Sequence, residues 1–309
     1  MQGNSIHLGR VAGIDLYLHW SWFLVALIEI QLRRGNYRSP VWNVLEYLAL
    51  FGIVLLHEFG HALACRQVGG KADRIMLWPL GGVAYVDPPQ RPGAVLWSIA
   101  AGPLVNVALL PVFLGAMAVA TALGWQHTMP DAFTFLTNLT WLDVILLVFN
   151  ILPVYPLDGG KIVWALLWFW MGRGKSLLVA SWLGVVGTGG MLLLALWARS
   201  LWTILITIYL GTSCWRSIQY ARELVKLEGI PRREEFKCPQ CGASPPMGEL
   251  WKCDLCGGTF DTFATGAICP HCSKRHPATG CPTCGKMSLM EDWAPREKWA
   301  GESVASRES

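Results

Sequence analysis

The chain has 309 residues, of which 53% are hydrophobic and only 15% charged, and its net charge is +4. Those values exclude an ordinary soluble domain, and so small a charge by itself suggests no extended surface for nucleic acid. Seventeen tryptophans fit a membrane protein with aromatic anchors at its interfaces.

In chain order, "GIDLYLHW" (13–20) reads as extended, because Ile14, Leu16 and Leu18 alternate with other residues. Apolar runs near the length a bilayer demands then follow at about 17–33, 43–67, 94–123, 136–157, 176–197 and 200–217. Between the second and third, "RIMLWPLGGVAYVD" (74–87) reads as a hairpin or a loop dipping into the membrane. Irregular backbone at that depth needs protein or water around it, so the loop should line a cavity. The segment 161–171 is too short to cross and is read as a helix along the interface or beneath the bundle. The expected fold is therefore an α-helical polytopic membrane protein with about six spans and a small membrane-associated β element. Its divisions are a membrane domain at 1–217, a helical linker at 218–237, a double zinc ribbon at 238–285, and a disordered tail at 286–309.

"HEFGH" lies inside the second span. His57 and His61 are one helical turn apart and can grip one zinc, while Glu58 can reach an attacking water without being a ligand. Ionisable groups at bilayer depth are costly and are functional candidates by default. A catalytic zinc needs a third protein ligand, and the acids within spans are Glu29, Asp143 and Asp158. Glu29 and Asp143 lie where polar heads can reach water near span ends. Asp158 stands in "NILPVYPLDGG", where prolines and glycines break the helix and free the chain to aim a carboxylate inward.

"HEFGH" followed by "LDGG" resembles the site-2 protease family of intramembrane zinc metalloproteases. "AAGPLVN" (100–106), "NILPVYPLDGG" (150–160), "PLGGVAYV" and "GIDLYLHWSWF" resemble further elements of that family, and together the likeness covers residues 6–217. It implies that His57, His61 and Asp158 bind zinc and that Glu58 is the catalytic acid/base. The function so implied is a zinc metalloendopeptidase that cuts membrane-spanning segments of tethered proteins, with single-span membrane proteins as substrates and lipid around it.

A spanning helix hides its peptide bonds and must be unwound before attack. Gly81, Gly82 and Val83 lie in the loop expected to hold the unwound segment by strand addition. Asn106 and Asn150 are expected to hydrogen-bond substrate; the alternative for both is hydrogen bonding between helices. Two other classes compete: a non-catalytic scaffold presenting the ribbons, and a metal transporter. Neither has a use for Glu58.

Eight of the ten cysteines form four C-x-x-C pairs after residue 237. Taken in sequence order they give one structural zinc on Cys238, Cys241, Cys253 and Cys256, and a second on Cys269, Cys272, Cys281 and Cys284. Zn2+ is thus expected three times, once catalytic and twice structural. Basic residues in the tail interleave with acids, which points to a protein partner rather than nucleic acid. Thiolate zinc sites favour a reducing compartment, and loop charges agree. The expected setting is the plasma (inner) membrane of a prokaryote, crossed several times, with both termini cytoplasmic.

Overall fold

The computed structural model describes residues 5–32, 35–78 and 81–294, leaving the side chains of Glu29, Ile30, Leu32 and Val83 aside. The chain divides into two compact units, residues 1–222 and 223–309.

The first unit opens with strands β1 (Ser5–Val11) and β2 (Ile14–His19) and helix α1 (Ser21–Leu32). Helix α2 (Pro40–Gln67) is followed by strands β3 (Lys71–Trp78) and β4 (Gly81–Asp87). Helices α3 (Pro92–Ala122), α4 (Trp125–Thr128), α5 (Pro130–Ile151), α6 (Asp158–Met171), α7 (Arg173–Trp197) and α8 (Leu201–Glu228) complete it, the last running on into the second unit.

Proline opens α2, α3 and α5 at a first-turn position, where its missing N–H costs nothing and its fixed φ suits the helix. Among the described residues four helices, α2, α3, α5 and α7, are long and apolar enough to cross a membrane. The other two expected spans take different forms. Helix α1 covers 12 residues, and α8 is apolar only in its first half. The linker expected from residue 218 is the continuation of α8 to Glu228, because the charged and apolar residues there keep helical periodicity.

The four strands form one sheet in the order β1-β2-β3-β4, with β2 and β3 parallel and the other pairs antiparallel. Alternation in β2 puts Ile14, Leu16 and Leu18 on one face, where they pack with Ile75 and Leu77 of β3 and Ala62 and Cys65 of α2. Arg66, at the end of α2, fastens the sheet by donating to the carbonyls of Ala12 (2.6 Å), Gly13 (2.9 Å) and Ala72 (2.9 Å). Helices α2 and α3 meet closely. A Cβ on Gly60 would lie 2.7 Å from the Ala101 carbonyl oxygen, so glycine there permits the small-residue contact common between membrane helices.

In the second unit two short hairpins, β5–β6 (Trp251–Lys252 and Thr259–Phe260) and β7–β8 (Ala278–Gly280 and Met287–Leu289), precede a 3-10 helix at Met290–Trp293. Phe236, Phe263, Met290 and Trp293 form its core. The Lys237 N–H donates to the Trp293 carbonyl at 2.8 Å, which ties the two ends of the unit together. Disorder therefore does not begin at 286 as expected: Met290 and Trp293 are apolar anchors that the core needs. Residues 295–309 lie outside the described part.

Candidate active site

Helix α2 presents His57, Glu58 and His61 on one buried stretch. The two Nε2 atoms are 3.1 Å apart. Asp158 arrives from the first turn of α6 because α5 stops at Ile151 and residues 152–157 turn the chain back. Its Oδ2 lies 3.0 Å from His57 Nε2 and 3.1 Å from His61 Nε2. The break in "NILPVYPLDGG" thus aims the carboxylate inward, as its prolines and glycines suggest.

The other nitrogen of each ring faces an acceptor. His57 Nδ1 donates to Asn106 Oδ1 at 2.6 Å, and His61 Nδ1 donates to the Ser98 carbonyl at 2.9 Å. In the neutral rings both Nε2 atoms then carry lone pairs. In that tautomer two lone pairs and a carboxylate oxygen converge, an arrangement that suits a cation. A tetrahedral zinc with ligand distances of about 2.0–2.1 Å separates its donors by roughly 3.4 Å, close to the observed spacing. His57, His61 and Asp158 therefore fit zinc, with three protein ligands and one position left over.

Glycines make room for this cluster. A Cβ on Gly102 would stand 2.2 Å from His61 Nε2 and 2.8 Å from His57 Nε2. A Cβ on Gly82 would stand 2.2 Å from Glu58 Cγ. Glu58 is buried beside the histidines, and its Oε2 accepts the Ala84 N–H of β4 at 2.8 Å. Strand β4 is an edge of the sheet, and its Ala84 lies against Glu58.

Asn106 is fully buried, and both halves of its amide are engaged: Oδ1 accepts from His57 while Nδ2 donates to Asp143 Oδ1 at 2.7 Å. Both bonds run between helices, as in the interhelical alternative, and each uses only one of the two bonds that either end of the amide can make. Asn150 is half-buried on the last turn of α5. Gly82 backs onto Glu58, Gly81 pairs with Trp78 at the hairpin end, and the Val83 side chain lies outside the described residues, as does that of Glu29. Two further residues, Ser98 and Lys161, had no sequence signal as site residues, and Asp143 had one only as a possible metal ligand. Lys161 Nζ donates to Asp158 Oδ1 at 3.3 Å, leaving Oδ2 to face the histidines. Asp143 is no span-end group reaching for water but is completely buried behind Asn106.

The cysteines of the second unit form two four-sulfur clusters, paired differently from the sequence-order expectation. Cys238 and Cys241 group with Cys281 and Cys284, and Cys253 and Cys256 group with Cys269 and Cys272. Sulfurs lie 3.9 Å apart for Cys238–Cys284, 3.8 Å for Cys241–Cys281, and 3.6 Å for both Cys253–Cys272 and Cys256–Cys269. Zinc–sulfur bonds of about 2.3 Å give a tetrahedral edge of roughly 3.8 Å, so both clusters fit zinc. The pairs nest because the joined ends at Lys237 and Trp293 bring the first and fourth knuckles together, leaving the middle two to each other. Knuckle backbone also favours thiolate. Burial opposes charge on Cys238, but the N–H groups of Cys241 and Gln240 help hold its thiol below the ordinary value; those of Cys256 and Leu255 help draw Cys253 down to about 6.

A profile described as Peptidase family M50 matches residues 46–129 and 115–195. A zinc metalloprotease of Methanocaldococcus jannaschii is 32% identical over 205 residues, which cover 66% of this chain and 58% of that protein. A relative in Synechocystis sp. is 30% identical over 247 residues, 74% of this chain and 63% of its own. The chain thus spans about three-fifths of the length of these two relatives. The solved site-2 protease from Methanocaldococcus jannaschii superposes with a TM-score of 0.51 at 29% identity, covering 69% of this chain and 95% of that one. Family match, related sequences, a similar solved structure and a converging His57–His61–Asp158 set beside Glu58 agree: the chain belongs to peptidase family M50, the site-2 proteases.

Proposed function

We propose that the protein is an intramembrane zinc metalloendopeptidase that hydrolyses peptide bonds in the membrane-spanning segments of single-span proteins. The observation that carries this reading is the convergence of His57 Nε2, His61 Nε2 and Asp158 Oδ2 in a buried site next to Glu58. Zinc bound there would supply Lewis acidity, lowering the pKa of a water and polarising the scissile carbonyl. Glu58 takes the proton of the attacking water and hands it to the leaving amide nitrogen. The Ala84 N–H holds Oε2 of that carboxylate, so Oε1 is the atom left to move the proton. Asp158 offsets the site's positive charge, and Lys161 keeps its second oxygen occupied.

Substrate binding by strand addition is supported by β4 being an edge strand that touches Glu58 through Ala84. Main-chain bonds along that edge would replace those lost when a substrate helix unwinds. Asn150, half-buried near Asp158 in sequence, is the amide we assign to substrate. The ion complement is one catalytic zinc and two structural ones in the nested cysteine clusters. A protein partner for the cysteine-rich unit, a prokaryotic plasma membrane and cytoplasmic termini complete the reading. A scaffold or a transporter would leave Glu58, buried and fastened to β4, with no task.

The test is cleavage of single-span proteins by the purified full chain and by Glu58→Gln. The variant should retain its zinc and lose turnover, because an amide cannot carry the proton. Undiminished cleavage by Glu58→Gln would end the peptidase reading.

A further inference from the structure

We propose that Asp143 is a positioning residue that fixes the tautomer of His57 through the amide of Asn106. The proposal rests on the metal reading of His57, His61 and Asp158. The three residues involved belong to different helices: Asp143 to α5, Asn106 to α3 and His57 to α2. Asp143 and Asn106 are both fully buried. They form an unbroken relay, with Asn106 Nδ2 donating to Asp143 Oδ1 at 2.7 Å and Asn106 Oδ1 accepting from His57 Nδ1 at 2.6 Å.

The reasoning turns on what each group can offer. A neutral imidazole carries its proton on either nitrogen, and the partner of one nitrogen decides what the other can do. An asparagine amide is itself ambiguous, since a half-turn exchanges its donor and acceptor ends. With its NH2 toward His57, Nδ1 would accept, the proton would move to Nε2, and the ring would point a hydrogen at the metal position. Asp143 Oδ1 accepts whether the group is a carboxylate or an acid with its proton on Oδ2. Asp143 therefore draws the NH2 end of Asn106 to itself, turns the carbonyl end to His57, and leaves the Nε2 lone pair facing His61 and Asp158.

His61 needs no such device. Its Nδ1 is held by the Ser98 carbonyl, a backbone acceptor that cannot exchange ends. Only the histidine held by a reversible amide has a carboxylate behind that amide. Asp143 Oδ2 has no hydrogen-bond partner among the described residues, so the group is kept at a cost that ordinary helix packing would not require.

The experiment measures zinc per full-length chain during a chelator titration. The membrane zinc is defined as the one missing from His61→Ala. Asp143→Leu should lose that zinc at about 10- to 100-fold lower chelator strength than the wild type, the range seen when partners of metal ligands are removed. Cysteine-bound zinc should be unaffected, and Asp143→Asn, which can still accept through its oxygen, should fall between. In an Asn106→Leu background, Asp143→Leu should cause no further loss, because the relay is already cut. Unchanged release of the membrane zinc in folded Asp143→Leu would overturn the proposal. So would an additional loss in the double variant, which also decides the matter should the single variant fold poorly. If His61→Ala lost no zinc, the metal reading itself would fall, and this proposal with it.

Discussion

The backbone N–H of Ala84 and the carboxylate of Glu58 are joined at 2.8 Å, so an edge strand directly orients the proposed proton carrier. The adjoining residue on that side, Gly82, leaves room for the Glu58 side chain; a Cβ there would lie 2.2 Å from Cγ and 2.6 Å from Oε1. Strand and acid are a single working part, since neither can shift without the other.

Gly82→Ala should therefore displace Glu58 and break its bond to Ala84. A misplacement of about 1 Å in a catalytic group costs roughly a hundredfold in rate. Turnover should drop by that order while the membrane zinc stays bound, because no ligand is touched. Zinc content and initial rates on one preparation check this. Loss of zinc in Gly82→Ala would mean that the strand supports the ligands as well.

Gly102→Ala should show the opposite pattern. Its Cβ would crowd the Nε2 atoms of both histidines, and the rings cannot swing away while Asn106 and Ser98 hold their Nδ1 atoms. Zinc affinity should fall by at least the roughly hundredfold seen for lost supporting contacts, and activity should fall with it. Excess zinc should not restore activity, since the obstruction is steric.

The parts of this site legible in the sequence are those set by local spacing. His61 lies four positions after His57, and a helix converts that into one face; the prolines and glycines of 150–160 break the chain around Asp158. The extended reading of 13–20 follows from alternation and that of 74–87 from turn residues, and strands lie at Ile14–His19, Lys71–Trp78 and Gly81–Asp87. What the sequence did not reveal depends on which helix lies beside which. Asp143 sits fifteen residues before Asp158, and only the packing of α5 on α3 makes it a partner of Asn106. The parallel pairing of β2 with β3 joins segments more than fifty residues apart, with α2 between them, and no local pattern announces it. The cysteine motifs gave the knuckles but not their partners, because sequence order is silent about how the unit closes.

An ion pair between buried Asp261 and half-buried Arg233 gives the second unit a measurable pH response. Asp261 Oδ2 accepts from Arg233 (2.8 Å) and the Gly248 N–H (2.9 Å), and its Oδ1 accepts the N–H groups of Phe263 and Ala264 at 3.1 Å. Burial works against its charge, but Arg233 and these N–H groups outweigh that and hold the carboxyl below its ordinary value. A depressed carboxylate contributes stability that is complete above its unfolded pKa, about 3.9, and is lost as pH falls through the lower folded one. Asp261→Asn should cost about 1.5–3 kcal/mol at neutral pH, the range for hydrogen bonds to a charged group. The difference from wild type should hold steady down to about pH 5 and narrow only below about pH 4. Denaturant unfolding of both proteins across that range measures it. A difference that already narrows near neutrality would assign the effect to another group.

The nested cysteine pairing can be distinguished from sequence-order pairing by counting zinc in double variants. Cys238→Ser with Cys284→Ser removes two ligands of one cluster if the pairs nest, but one ligand from each cluster if neighbours pair. The nested arrangement therefore predicts one zinc lost per chain, and the other predicts two. Retention of the inner zinc is expected on physical grounds. Its four sulfurs come from the stretch 251–275, which carries its own hairpin, β5–β6, and an Ile268–Arg275 bridge, so the inner cluster closes without the outer knuckles. The reverse does not hold, since the outer knuckles lie on either side of that inner segment in sequence and meet only after it has folded back. Cys253→Ser with Cys272→Ser should thus release the inner zinc and weaken the outer one, whereas Cys238→Ser with Cys284→Ser should leave the inner zinc as resistant to chelator as in the wild type. A small unit of this kind takes much of its folding free energy from metal, so the same two variants should differ in protease resistance of residues 253–272. Loss of both cysteine-bound zincs from Cys238→Ser with Cys284→Ser, with the membrane zinc intact, would refute the nested pairing or the independence of its inner half. Cys241→Ser with Cys253→Ser separates these two: it takes one zinc if neighbours pair and both if the clusters nest.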